Sequence, residues 1–183
     1  MGLTEQTVAT RFPSDRAAEQ HVEAVVAASG SSFFWAMRLL PAHKRRAVYA
    51  VYAFCRDVDD IADGAGSSEA KLRALEAWRE EIARLYDGQP TRPITLALQP
   101  AIERFSLARA DFEAIIDGME RDAAVPLLAP SMVELERYCD QVAGAPGRLC
   151  VAIFGEAGCA GLRAARSLGL ALQLTNILRD LRE

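Results

Sequence analysis

The stretch of residues 49–64, YAVYAFCRDVDDIADG, decides the fold and carries the first chemical signal. Four of its polar side chains share one helical stripe about 60° wide: Tyr52, Arg56, Asp59 and Asp63. Two carboxylates one turn apart repel each other, and the repulsion grows when they are buried. A divalent cation would offset it, and Mg²⁺ prefers hard oxygen ligands, often one or two carboxylates plus substrate phosphates. The stretch therefore indicates a helix that holds magnesium through Asp59 and Asp63.

Taken alone, these aspartates fit two other interpretations. A lone pair of carboxylates at this spacing is more often a solvated face near the end of a helix. A calcium-binding EF-hand loop is the other alternative, but Ala62 stands where the loop needs glycine and Ser68 where it needs glutamate. A second acidic stretch near the far end of the chain is what favours the magnesium site.

Composition limits the class of protein. The chain has 183 residues, 51% hydrophobic and 25% charged, which fits one globular domain over 14–183 after a flexible lead over 1–13. A net charge of −4 argues against a nucleic-acid binder. No apolar run approaches the roughly 20 residues of a membrane-spanning helix, and the first residues do not resemble a signal peptide. We therefore expect a cytoplasmic protein, in which the four cysteines are reduced. None of the four has the spacing of metal ligands. His21 and His43 are expected to be surface residues.

Apolar spacing, caps and breakers predict an all-α bundle of about eight helices around a central cavity, without strands. The principal predicted helices cover residues 15–29, 43–63, 69–87, 94–104, 109–122 and 162–183, together with one that begins after Ser131. Ser14 is the predicted cap of the first helix, and Ser131 with Glu134 forms a predicted capping box.

Three local features carry further expectations. Phe33, Phe34 and Trp35 are predicted to lie in the core or the cavity wall. The basic run over 43–46 opposes the helix dipole, so it is either solvated or kept for an anion. Small residues and proline over 144–147 should kink or break the helix that contains them and let a bulky group approach the backbone.

The second acidic stretch is ALQLTNILRDLRE, in the last predicted helix. Gln173, Asn176 and Asp180 fall within about 60° of one another on an otherwise Leu-rich and Ile-rich helix. Such a polar stripe is either buried with its groups paired or lines a polar chamber, and taken alone a solvent-facing stripe is the more common case. Together with the stripe on the earlier helix, it predicts a two-walled site for Mg²⁺ and phosphate.

These motifs, in this order, resemble the squalene/phytoene synthase family of head-to-head prenyl transferases. The resemblance covers residues from about 30 to the end and rests on SSFFWAMRLLP, YAFCRDVDDIAD, YCDQVAG and QLTNILRD. Details of these segments look most like the bacterial branch that makes presqualene diphosphate for squalene and hopanoids.

The resemblance implies that two farnesyl diphosphates condense in a helix-lined cavity. Mg²⁺, with Mn²⁺ as an alternative, would be held by Asp59, Asp63, Asn176 and Asp180. Arg56 would pair with phosphate, and Tyr138, with Val142, Ala143 and Gly144, would flank the reacting carbons. The remaining implied substrate contacts are Ser32, Phe33, Tyr52 and Gln173. No NADPH is expected for this step, and the apolar product makes peripheral membrane contact an additional expectation.

The chain departs from the family pattern in two places. Its second acidic motif ends at Glu183, one residue before a second carboxylate, so we expect a truncated chain that binds Mg²⁺-diphosphate weakly and turns over slowly or not at all. Pro146 stands where the family usually has an aliphatic residue. Two enzymatic alternatives remain, a phytoene synthase that uses geranylgeranyl diphosphate and a hydroxysqualene-forming relative. The alternative outside enzymes is a non-catalytic helical assembly protein of the same fold.

Overall fold

The computed structural model describes residues 13–30, 33–124 and 129–180, and these residues form helices and connecting loops without strands. The helices are α1 (Pro13–Ala28), α2 (Phe33–Arg38), α3 (Ala42–Asp63), α4 (Ser68–Tyr86), α5 (Pro93–Phe105), α6 (Arg109–Ala124), α7 (Met132–Cys139), α8 (Ala145–Phe154) and α9 (Cys159–Asp180). Asp140–Gly144 form one π-helical turn between α7 and α8, which we call the π-turn. The all-α prediction is confirmed.

Helix α3 lies at the centre of the packing, against α1, α2, α4, α5, α6 and α8. Phe54 on its buried face makes edge-to-face contacts with Trp78 and Phe112, at centroid distances of 5.3 Å and 5.2 Å. Full burial of each such ring stabilises the fold by about 1.5–3 kcal/mol. On the same helix, Asp57 accepts a 2.7 Å hydrogen bond from the Trp78 indole. These contacts fix the rotation of α3 and turn its acidic stripe away from the core.

The predicted caps are right in one case and wrong in another. Ser131 and Glu134 form the expected reciprocal capping box at the start of α7. Helix α1 begins at Pro13, so Ser14 lies inside its first turn and does not precede it. Proline is well suited to a first helical position because its φ is already helical and it has no N–H to leave unsatisfied.

The basic run at the start of α3 forms links to neighbouring segments. Lys44 donates to the carbonyl of Phe154 at 2.9 Å, and Arg46 pairs with Glu19 at 3.4 Å. These contacts use cations that oppose the helix dipole to attach α3 to α1 and to the end of α8. Both cations stay at least partly exposed, which agrees with the expectation of a solvated run, and anion binding by the run stays a prediction.

The aromatic residues of α2 correct a second expectation. Phe34 packs against the hydrophobic core, but Phe33 and Trp35 are 62% and 68% exposed. The short helix buries one side only, and consecutive residues of a helix cannot all face the same side. The placement of Phe33 and Trp35 in the core was wrong, and their placement in a cavity wall stays a prediction.

The cysteines are free and the two histidines are exposed, as the sequence predicted. All four cysteines are free, with Cys139 buried, Cys55 and Cys150 half-buried, and Cys159 exposed. His21 and His43 are exposed, and the ring of His43 stacks on Phe105. Among the described residues, no helix is long and apolar enough to cross a membrane.

Candidate active site

The first wall of the candidate site is the outward stripe of α3. The Arg56 guanidinium spans two carboxylates, with Nη1 at 3.1 Å from Asp59 Oδ2 and Nη2 at 2.7 Å from Asp60 Oδ1. All three side chains are between 42% and 56% exposed, so the cluster is open to a ligand. Tyr52, one turn before Arg56, is half-buried and packs against the core.

The carboxylates of this wall repel one another. The pKa of Asp59 is raised by partial burial and then by the negative charge of Asp63, while the Arg56 cation opposes the rise. A raised pKa means that the ionised carboxylate is disfavoured here. A cation bound between Asp59 and Asp63 would remove that cost, so the donor set suits a hard divalent ion.

Asp122, a carboxylate on another helix, is influenced by the charges of Asp59 and Asp63. Asp122, near the end of α6, accepts a 2.9 Å hydrogen bond from the Tyr138 hydroxyl on α7. The pKa of Asp122 is raised first by burial and also by the charges of Asp63 and Asp59, while the Tyr138 hydrogen bond lowers it. Burial and Asp122 likewise raise the pKa of Tyr138. Asp122 therefore belongs to the same electrostatic cluster as the α3 stripe.

Sequence reasoning missed Asp122. Its local segment, IDGMERD, does not have the i, i+4 carboxylate spacing that marks the stripe on α3. An aspartate near the end of an amphipathic helix is usually solvated. Only the packing of α6 against α3 and the π-turn, together with the hydrogen bond from Tyr138, gives it a place in the site.

The kink or break was predicted over 144–147, and the structure has the π-turn just before it, over Asp140–Gly144. Val142 and Ala143 are half-buried, and Gly144 is buried. A Cβ built on Gly118 of α6 would lie 2.6 Å from Val142 Cγ1, which shows how closely α6 passes the turn. Single π-helical turns are frequent at functional sites because they reset the direction of side chains within a helix.

The second wall, on α9, is more open. Gln173 is half-buried, whereas Asn176 and Asp180 are exposed, and Asp180 pairs with the neighbouring Arg179 at 2.8 Å. Helix α9 packs against α7, the π-turn and α8. Within the described part of the chain, no group of three or more His, Cys, Asp or Glu residues is arranged to hold a metal ion.

The structure thus joins some predicted site residues and leaves others apart. Arg56, Asp59 and Asp63 lie together on α3, and Tyr138 faces Asp122 within reach of their charge. The α9 residues are not brought into that cluster. Phe33 lies at the exposed surface of α2, and Ser32 lies outside the described residues.

Comparisons with known proteins agree with the motifs. The family model described as squalene/phytoene synthase matches residues 26–183. A presqualene diphosphate synthase from Rhodopseudomonas palustris is 51% identical over 156 residues, which cover 85% of this chain and 56% of that protein. A presqualene diphosphate synthase from Zymomonas mobilis is 49% identical over 160 residues, and a phytoene synthase from Mycobacterium tuberculosis is 41% identical over 163 residues. These alignments cover 87% and 88% of this chain, and 55% and 52% of the respective relatives.

Solved structures show the same architecture. A crystal structure of a dehydrosqualene synthase with bound ligand superposes with a TM-score of 0.80 at 30% identity, over 92% of this chain and 58% of that one. Squalene synthase HpnC from Alicyclobacillus acidocaldarius gives the same TM-score and identity, over 91% and 62%. The chain spans a little more than half the length of the presqualene diphosphate synthases that it matches. The matched family model, the ordered motifs and the shared helical fold establish that the chain belongs to the squalene/phytoene synthase family.

Proposed function

We propose that this chain supplies catalytic helices for an enzyme that joins two farnesyl diphosphates head to head, forming presqualene diphosphate. The observation that carries the proposal is the cluster on α3, where Arg56 spans two carboxylates beside the Tyr138–Asp122 pair. A guanidinium next to crowded carboxylates offers both a phosphate contact and a cation site. A purely structural helical protein has no need for that arrangement on an open face.

The substrate is proposed from similarity. The presqualene diphosphate synthases are 51% and 49% identical to this chain, and the mycobacterial phytoene synthase is 41% identical. This difference supports the C15 substrate over geranylgeranyl diphosphate. The proposal also includes peripheral membrane contact, which vesicle co-sedimentation would test; protein that stays wholly in the supernatant would exclude it.

The metal is proposed to be Mg²⁺, held by Asp59 and Asp63 and completed by Asn176 and Asp180. The fit rests on two carboxylates one turn apart on the exposed stripe of α3, which are oxygen donors of the kind that this ion prefers. Burial first, and then the charge of Asp63, raise the pKa of Asp59, and a bound cation would offset both effects. When bound, the metal would draw negative charge from the departing diphosphate.

The chain's own residues would carry out the remaining tasks. Arg56 would contact two phosphate oxygens at once, since a guanidinium binds such groups in a fixed fork. One diphosphate leaves to give an allylic cation, the second substrate's double bond attacks it, and loss of a proton closes the cyclopropane. Tyr138 and Val142 would border the reacting carbons, and apolar side chains would keep out water that could trap the cation.

A binding experiment on this chain tests the cation site. We expect Mg²⁺ with inorganic diphosphate to raise the melting temperature of the parent chain, because a ligand that binds only the folded state stabilises it. Asp63→Asn should abolish that rise. Asp60→Asn is the matched control, since Asp60 is on the same helix and also pairs with Arg56 but lies off the predicted metal stripe. Equal responses from the two variants, or no response from the parent, would contradict the proposed site.

A further inference from the structure

We propose that Arg148 is a positioning residue, which holds the π-turn in the geometry that the active site requires. The inference rests on the proposed function for its kinetic part. Arg148, on α8, reaches back with Nη1 at 2.8 Å from Asp140 Oδ1, at the first residue of the π-turn. Its Nε lies 2.6 Å from Asp111 Oδ1 on α6. One guanidinium therefore connects both sides of the turn to a third helix.

The ion pairs are partly protected from water. The side chains of Arg148 and Asp111 are 23% and 15% exposed, and that of Asp140 is 34% exposed. Burial alone would lower the pKa of Arg148, but the hydrogen bonds to Asp111 and Asp140 raise it. Charge-assisted hydrogen bonds are stronger than neutral ones, and the planar guanidinium fixes their direction.

The backbone around the turn is shaped to leave room for this contact. A Cβ on Gly144 would lie 2.6 Å from Asp140 Oδ1 and 3.3 Å from Arg148 Nη1. A Cβ on Gly169 of α9 would lie 2.8 Å from the backbone nitrogen of Gly144. The turn is thus enclosed by close backbone approaches, and any change in its winding would disturb both α9 and the ion pairs.

A π-helical turn needs such support because α-helical winding is the usual state of a continuous helix. Each α-helical residue advances about 100°, so rewinding the turn would rotate α7 relative to α8 by an angle on the order of one residue's advance. Tyr138 could then no longer face Asp122 while Gly144 faces Gly169. Arg148 opposes that rotation, since it lies beyond the turn on α8 and pairs both with Asp140 at the first residue of the turn and with Asp111 on α6.

The test compares two arginines with similar surroundings. Arg148→Met removes the link across the π-turn. Arg79→Met removes a network of the same kind, in which Arg79 on α4 is 29% exposed and pairs with Asp117 at 2.8 Å and Glu120 at 2.9 Å on α6. Both substitutions should lower the melting temperature. Only Arg148→Met should speed amide hydrogen exchange over residues 140–147, by about tenfold or more.

Turnover provides the second readout. We expect Arg148→Met to lower kcat by about tenfold with KM for farnesyl diphosphate changed less than about threefold, because diphosphate contacts on α3 remain. Arg148→Lys should recover only part of the loss, since an ammonium lacks the fixed fork that binds two carboxylates. Arg79→Met should leave kcat unchanged.

Each outcome decides one of the two proposals. If Arg148→Met does not fold, Asp140→Asn gives the same comparison, since it removes the link to the turn and keeps the pair with Asp111. Equal exchange over 140–147 in the Arg148 and Arg79 variants would overturn the positioning role. If neither this chain nor a C-terminally extended version of it shows turnover, the proposed function fails, and hydrogen exchange alone decides the role of Arg148.

Discussion

At the scale of single residues, the Tyr138–Asp122 pair is a part of the site that only the tertiary packing reveals. Tyr138 belongs to a sequence motif, but Asp122 does not. The 2.9 Å hydrogen bond from Tyr138 stabilises the ionised carboxylate of Asp122. Burial and the charges of Asp63 and Asp59 act in the opposite direction. The ionisation of Asp122 therefore depends on a hydroxyl group in a different helix.

Tyr138→Phe should consequently raise the pKa of Asp122 further, because it removes the hydrogen bond and keeps the burial. Carbon-detected NMR of the side-chain carboxyl, titrated without metal, measures this directly. The matched control is Tyr86→Phe, which removes a buried 2.7 Å hydrogen bond to the Leu107 carbonyl. An Asp122 titration that is the same in the parent and in Tyr138→Phe would show that the hydrogen bond has no electrostatic role.

Glu81 is a second residue whose ionisation matters, here for stability. Its side chain is 0% exposed and accepts hydrogen bonds from the backbone of Thr91 and Arg92 and from the hydroxyl of Thr95. Burial alone would raise its pKa, but the hydrogen bonds from Thr91, Thr95 and Arg92 lower it to about 2. The carboxylate thereby secures the start of α5 to α4.

Glu81→Gln should lower the free energy of unfolding by about 2–3 kcal/mol at pH 7, because an amide N–H₂ would face donors. A lowered pKa stabilises the fold above the ordinary glutamate pKa near 4.5, and the benefit is lost as pH falls towards about 2. The difference between parent and variant should therefore shrink in that acidic range. Urea denaturation at several pH values checks it, with exposed Glu80→Gln as the control. A difference that persists unchanged at low pH would contradict the account.

At the scale of elements, the contact between α9 and the π-turn fixes how the second wall is attached. Apolar periodicity and caps predicted most helices because those signals are local. Glycine and proline over 144–147 predicted a kink, but they do not specify a π-turn, whose hydrogen-bond pattern depends on contacts with α6, α8 and α9. The predicted start of α9 was also too far along the chain, since the helix begins at Cys159 and not at residue 162.

Gly169→Ala tests that attachment. Alanine favours a helix by about 1 kcal/mol over glycine. Here, however, its Cβ would lie 2.8 Å from Gly144 N and 2.9 Å from Ala143 C, and backbone atoms cannot easily move aside. We expect a net loss of about 1–2 kcal/mol, since overpacking typically costs about 1–3 kcal/mol. Chemical denaturation measures it.

The control for that substitution is Ser167→Ala, at an exposed position of the same helix. It should leave stability unchanged or raise it by up to about 0.5 kcal/mol, as propensity alone predicts. A Gly169→Ala variant as stable as this control would mean that α9 does not rest on the π-turn.

At the scale of the whole molecule, the fold and one wall of the site were predictable, and the meeting of two walls was not. The stripe of Arg56, Asp59 and Asp63 follows from helical spacing alone. The residues Gln173, Asn176 and Asp180 share one face of α9 by the same rule. Whether two helices distant in sequence face each other depends on tertiary packing, which spacing does not encode. The central cavity and the metal ligands on α9 therefore stay predictions.

Helix α9 exposes several large apolar side chains: Leu168, Leu172 and Leu178 are 61%, 49% and 65% exposed. The chain spans a little more than half the length of the presqualene diphosphate synthases that it resembles. The activity is therefore best examined in this chain and in a C-terminally extended version side by side.

The most direct measurement is mass spectrometry of the products formed from farnesyl diphosphate and Mg²⁺ without NADPH, by this chain and by that extended version. The account predicts a C30 diphosphate from the extended version, its loss in Asp63→Asn, and little or none from the 183-residue chain. The absence of any C30 diphosphate from the extended version, or a product formed only from geranylgeranyl diphosphate, would contradict it.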